Sequence, residues 1–243
     1  MVKLWNEYRK ESRMFWVLSF FAFIFISGFL IYKLGFQQLH FEGISQFVLI
    51  VVFFFLFVHF AWEMYRQMKV WTKSQYRLMP ITECTFYFSN ILFGWISTTL
   101  FLVGYYACFV GLIFLLDKQV DLIHFQEYWK HLLVGSYFFL SASIYLQLVY
   151  LLTSLISAKV PHRYQKVSKY LLFLIVFVAE VGLSEQLLDG YRKIAFIESY
   201  QFKLLIGYVP FYLSDFMFDI FLLVLCSISS ILILKKYIEA ERR

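Results

Sequence analysis

Charge is scarce in this chain. Of 243 residues, 16% are Asp, Glu, Lys or Arg, against about 25% in an ordinary soluble domain. Proline is rarer still, with three residues, and there are ten glycines. No Pro/Gly-rich linker, low-complexity tract or internal repeat divides the sequence. The three cysteines, Cys84, Cys108 and Cys226, are too few for a disulfide framework and have no metal-ligand spacing. They read as small apolar fillers, two in apolar runs and one beside Pro80. Several motifs are missing as well. Without G-x-x-x-x-G-K-[ST] the chain has no P-loop for ATP, and neither G-x-S-x-G nor H-E-x-x-H occurs.

What is present is apolar. Hydrophobic residues make up 61% of the chain and aromatic residues 23%, with a mean hydropathy of +0.70. A helix needs about 20 apolar residues to cross a bilayer. Residues 14–32, 44–62, 91–116 and 132–157 are free of Asp, Glu, Lys and Arg, and residues 216–234 carry only Asp219. Residues 170–183 form a shorter run with Glu180 inside it. The runs are continuous rather than alternating, which excludes a transmembrane β-barrel. The expected fold is an all-α integral membrane protein of six transmembrane helices, forming one domain over residues 1–243. The first run is too long for a signal-peptide core and no A-x-A-like site follows it, so it is expected to be retained.

Basic residues fall in clusters. Four lie in each of four segments: Lys3, Arg9, Lys10, Arg13; Arg66, Lys69, Lys73, Arg77; Lys159, Arg163, Lys166, Lys169; and Lys235, Lys236, Arg242, Arg243. The alternate segments hold six between them. Six spans put all four clusters on one face, and the positive-inside rule places both termini in the cytoplasm of a cell-membrane protein. The net charge of +6 therefore reports orientation. No single basic patch points to nucleic acid.

The polar segments add detail. Residues 4–16 place Leu4, Trp5, Tyr8, Phe15 and Trp16 on one side of a helix, with Arg9, Lys10 and Arg13 opposite, which reads as an N-terminal interfacial helix. In residues 64–79 Arg66, Lys69, Lys73 and Arg77 form a stripe opposite Met64, Met68, Trp71, Leu78 and Met79. The second span thus continues as an amphipathic helix beyond the bilayer, or folds along its surface, until Pro80 stops it. Thr82 can cap the next helix, with Glu83 in its first turn. The long outer loop 184–215 contains an apolar cluster from Leu204, read as a re-entrant segment broken at Pro210. His124, Glu127 and His131 share one helix side without a further ligand, which is weak ground for a metal, and no metal site is assigned. Glu180 and Asp219 are intramembrane carboxylates and so functional candidates. A simpler reading leaves both hydrated near the outer ends of their helices. His59 is expected to be satisfied by a neighbouring helix.

The order of these parts resembles the permease subunits of ABC-2 type transporters. An interfacial helix precedes two spans, then a cytoplasmic elbow, then four spans with a re-entrant outer loop between the last two. The stretch RLMPITECTFYFSNIL, with Leu78, Pro80, Thr82 and Glu83, is similar to the segment joining the second and third spans in that family. Asn90 departs from the pattern, since a lysine is common there. The resemblance implies a coupling helix that docks on a separate nucleotide-binding subunit, with Arg77, Pro80, Thr82 and Glu83 as coupling residues. It implies no catalytic residue and no cofactor in this chain, with ATP and Mg in a partner ATPase. A second permease, identical or related, and membrane lipid complete the partners. The expected function is export of an amphipathic substrate, such as a peptide, an antimicrobial or a lipid-like molecule. The alternatives are an intramembrane enzyme built on Glu180, Asp219 or the His124 group, and a membrane anchor or assembly protein.

Overall fold

The computed structural model describes residues 2–36, 41–71, 81–116, 122–161, 164–193, 203–206 and 209–241. The chain forms α1 (Val2–Phe36), α2 (Phe41–Val70), α3 (Glu83–Leu116), α4 (Leu122–Ser157), α5 (Gln165–Arg192), a hairpin of β1 (Lys203–Ile206) and β2 (Val209–Tyr212), and α6 (Leu213–Glu241). Each helix contains a stretch long and apolar enough to cross a membrane: Leu4–Phe29, Ile50–Val70, Glu83–Cys108, Leu132–Ser157, Val167–Arg192 and Ser214–Lys236. This is a six-helix, multi-pass membrane architecture.

The helices form because the long apolar runs contain no Pro, and a helix satisfies every backbone polar group within itself, as hydrocarbon requires. Polarity is partly inverted relative to a soluble bundle. On α1 the buried positions are Leu4, Tyr8, Ser12, Ser19, Phe23 and Ser27, while Phe21, Phe25 and Phe29 face outward. Small hydroxyl residues on the inner face let helices approach and bond, as membrane helix packing favours.

Two compact units emerge, one of residues 1–79 and 88–139, the other of residues 80–87 and 140–243. In the first, α1 and α2 pack side by side. Its apolar centre is Phe23, Val52, Phe55, Leu56 and Tyr105. The Phe23 and Tyr105 rings lie 4.6 Å apart, and the Tyr105 hydroxyl bonds Ser19 Oγ at 2.7 Å. The indole of Trp95 donates to the carbonyl and hydroxyl oxygens of Ser136, each at 3.0 Å, tying α3 to α4. In the second unit, Arg192 at the end of α5 pairs with Asp215 in the first turn of α6 through two hydrogen bonds. Lys169 Nζ donates to Tyr150 Oη at 3.2 Å.

Three expectations change. Residues 4–16 are not a separate interfacial helix but the first turns of an uninterrupted 35-residue α1. Leu4, Tyr8 and Ser12 are buried, so this face packs on protein rather than lying along headgroups, and no Pro or Gly breaks the chain there. The fifth helix is not short: it has 28 residues, because its polar end, Ser184–Arg192 in sequence, stays helical beyond the apolar run. Where a re-entrant segment was expected, the strands pair antiparallel, with Leu205 opposite Pro210 and Ile206 opposite Val209. Pro210 is tolerated since a two-stranded ribbon has only edges, and glycine at the first of two connecting residues, Gly207, is a hairpin signal in the sequence. Cys84 is also exposed, unlike the half-buried Cys108 and Cys226.

At Gly94 a side chain of α2 lies directly against α3. A Cβ there would lie 1.8 Å from Gln67 Nε2 and 3.0 Å from its Cδ. Gly94→Ala is therefore expected to lower the thermal midpoint of the detergent-solubilised chain, and Gln67→Ala in the same chain to restore most of the loss, as contacting residues couple. Equal midpoints for Gly94→Ala and the parent chain would remove this contact from the account.

Candidate functional site

A buried polar network lies within the first unit, near the end of the spans at which α1 begins. Glu63 and Arg66 stand one helical turn apart on α2. That spacing lets their side chains meet, and Arg66 Nε donates to Glu63 Oε2 at 2.8 Å. Both are withdrawn from solvent, Arg66 at 3% exposure and Glu63 at 0%. From the pair, bonds run both ways. Arg66 Nη1 donates to Asn90 Oδ1 on α3 at 3.2 Å, and Asn90 Nδ2 donates to the Gln67 carbonyl at 3.2 Å. On the other side Glu63 Oε1 accepts from Trp16 Nε1 of α1 and from Ser97 Oγ of α3, each at 3.3 Å. Ser97 Oγ also lies 3.3 Å from His59 Nε2. Its single proton goes to Glu63, so His59 must donate from Nε2. His59 thus bonds α3 through Nε2, while its buried Nδ1 has no hydrogen-bond partner among the described residues, and its ring stacks on Phe101 at 4.0 Å.

Aromatic faces complete the enclosure. The Arg66 guanidinium carbon is 4.6 Å from the Tyr8 ring centre and 4.9 Å from that of Phe93. Those two rings meet edge to face at 5.4 Å. A desolvated cation over aromatic faces gains about 2 kcal/mol or more. Trp5 adds a bond from α1 to α3, donating to Ser89 Oγ at 2.8 Å. One salt-bridged pair therefore ties α1, α2 and α3 together. The network carries no net formal charge and presents no exposed nucleophile, and no group of three His, Cys, Asp or Glu among the described residues is placed to hold a metal. It joins α1, α2 and α3 through buried polar bonds.

The residues singled out in the sequence fall elsewhere. Thr82 caps α3, its Oγ1 accepting from the Thr85 N–H at 3.3 Å while its carbonyl accepts from the Phe86 N–H at 2.9 Å. Glu83 occupies the first turn. Arg77 and Pro80 lie outside the described residues, as do the side chains of His124, Glu127 and His131. Within the second unit, Asp219 Oδ1 accepts from Tyr145 Oη at 2.9 Å. Glu180 is half-buried near the middle of α5. Arg66 is a correction: it belongs to the buried network rather than to an exposed basic stripe, whereas Lys69 is exposed. Glu63, Gln67, Asn90 and Gly94 were not singled out for the network. The readable signal was a Glu-x-x-Arg-Gln run at the end of an otherwise uncharged span.

No protein-family model matches the chain, and no match was found among curated proteins or solved structures.

Asn90 gives a test by charge. Asn90→Ala leaves Arg66 Nη1 and the Gln67 carbonyl without their bonds, at about 1–3 kcal/mol for each buried group. Asn90→Lys adds a second buried cation beside Arg66 and is expected to cost more than Asn90→Ala. Thermal midpoints in detergent measure both. A lysine variant as stable as the asparagine parent would show that Arg66 does not face this position.

Proposed function

We propose that the chain is the transmembrane subunit of an ATP-binding cassette exporter of the ABC-2 type, moving an amphipathic substrate with ATP hydrolysed by a separate subunit. The observation that supports this reading is how the helices before and after residues 72–80 are held. Before them, α2 is held to α1 and α3 by the buried Glu63–Arg66 pair and Asn90. After them, α3 starts at a Thr82 cap. A segment fixed to stiff helices can transmit a push from a soluble partner, whereas one on loose helices would absorb it. The sequence holds no P-loop of its own, so nucleotide energy would have to arrive from another polypeptide.

In this reading residues 72–83 are the coupling elbow, with Arg77, Pro80, Thr82 and Glu83 at the contact, and both termini lie in the cytoplasm. The partners are two ATPase subunits and a second permease. Closure of the ATPases would tilt α1–α3 as a body and alternate access across the membrane, a rigid-body switching transition. The hairpin before α6 would lie on the outer face, where the re-entrant segment was expected.

One observation favours a rival. The Tyr145–Asp219 bond supports an intramembrane enzyme that uses Asp219. A non-transport anchor or assembly role is the remaining alternative.

The test is to co-express the chain with its candidate ATPase and change Glu83→Arg and Thr82→Trp. The coupling reading predicts loss of substrate-stimulated ATPase activity, loss of ATPase co-purification, or both. Unchanged stimulation and unchanged co-purification would remove the elbow as the contact. Activity of the purified chain alone, without nucleotide and abolished by Asp219→Asn, would favour the enzyme.

A further inference from the structure

The outward face of α1 changes character abruptly. Arg9, Lys10 and Arg13 are exposed, and at 3.6 residues per turn Val17, Phe21 and Ile24 follow on the side of Lys10 and Arg13, all exposed, with Phe21 at 66%. The helix is continuous through this boundary, so the cations stand directly above the apolar strip rather than on a separate element. Lys10 pairs with Glu7 at 2.8 Å. Arg9 and Arg13 form no ion pair among the described residues.

The dimensions match a phospholipid. From Arg13 to Ile24 an α-helix rises about 16 Å, at 1.5 Å per residue. That is close to one leaflet of a hydrocarbon core about 30 Å thick. Arg9 and Arg13 are one turn apart, about 6 Å along the axis, which places two guanidinium groups where headgroup phosphates sit. Guanidinium forks bind phosphate in bidentate fashion. A soluble anion would use the arginines but leave the strip beneath them without a role. A zwitterionic lipid would use the strip but bring an ammonium to two unpaired cations.

We infer that this face of α1 is a binding site for an anionic phospholipid, its phosphate held by Arg9 and Arg13 and its acyl chains lying along Val17, Phe21 and Ile24. The site does not depend on the transporter reading, only on α1 spanning a bilayer. Nor does it depend on which leaflet the N-terminus meets.

The full-length chain, reconstituted in nanodiscs of equal phosphatidylglycerol and phosphatidylcholine and then examined by native mass spectrometry, gives the readout. Retained lipid is expected to be enriched in phosphatidylglycerol. Each arginine near the surface accounts for about a fivefold preference, so Arg9→Gln with Arg13→Gln should remove most of the enrichment. Arg9→Lys with Arg13→Lys should keep much of it. Lys235→Gln with Lys236→Gln, a basic cluster elsewhere, should leave it intact. Added inorganic phosphate should not displace the lipid. Where the double glutamine variant fails to fold, the single Arg13→Gln variant decides: a folded chain with unchanged enrichment overturns the site. Absence of enrichment in the parent chain, its equal loss in the Lys235/Lys236 variant, or displacement by phosphate alone overturns it too.

Discussion

A carboxylate and a guanidinium withdrawn from water need each other. Glu63 and Arg66 are both buried and 2.8 Å apart, and either left alone would carry a desolvation penalty of several kcal/mol. Side chains of the neighbouring helices answer most of that requirement, leaving Arg66 Nη2 without a hydrogen-bond partner among the described residues. Asn90 takes one guanidinium N–H, Trp16 and Ser97 fill the second carboxylate oxygen, and Tyr8 and Phe93 cover the faces of the cation. The donors come from α1 and α3 because α2 alone cannot satisfy the pair. Meeting one electrostatic demand therefore fixes the relative placement of three helices.

The rest of the first unit follows from that placement. Gly94 admits the Gln67 side chain against α3, which brings Asn90 within reach of the Gln67 carbonyl. Farther along the same helices, the polar layer gives way to the aromatic layer of Phe23, Phe55 and Tyr105, where Ser19 and Tyr105 supply one remaining polar bond. Dispersion and small-residue approach hold membrane helices where water gives no hydrophobic drive between them. A polar layer at one end and an aromatic layer beyond it give the three helices a defined register. A register of that kind is what a lever would need, and it links the fold to the proposed coupling at residues 72–83.

Four spans were legible in the sequence as charge-free runs of nineteen or more residues, which have few other uses, and the sixth as a run interrupted only by Asp219; the fifth was the weak case, a shorter run around Glu180. The Thr82 cap was legible as well, from Pro80 and a hydroxyl followed by Glu83. The network was not. An i, i+3 Glu–Arg pair looks the same on a wet helix surface as in a buried seam, and its meaning depends on Trp16, Asn90 and Ser97, which are distant in sequence. Arg66 was grouped with Lys69 for that reason, though one is buried and the other exposed. The N-terminal segment misled similarly: apolar residues facing cations suit a bilayer surface and a protein surface equally, and only the burial of Leu4, Tyr8 and Ser12 separates the two. The hairpin was hidden because LLI and VPFY are as apolar as a re-entrant helix would be.

A double-mutant cycle on Glu63→Gln and Arg66→Gln, read as unfolding free energies of the full chain in detergent, tests the central claim most directly. A pair that organises three helices in a desolvated seam should show a coupling energy above about 1 kcal/mol, within the range for contacting residues. A coupling below about 0.5 kcal/mol, the value of an exposed helical pair, would contradict the account and return Arg66 to the solvated surface.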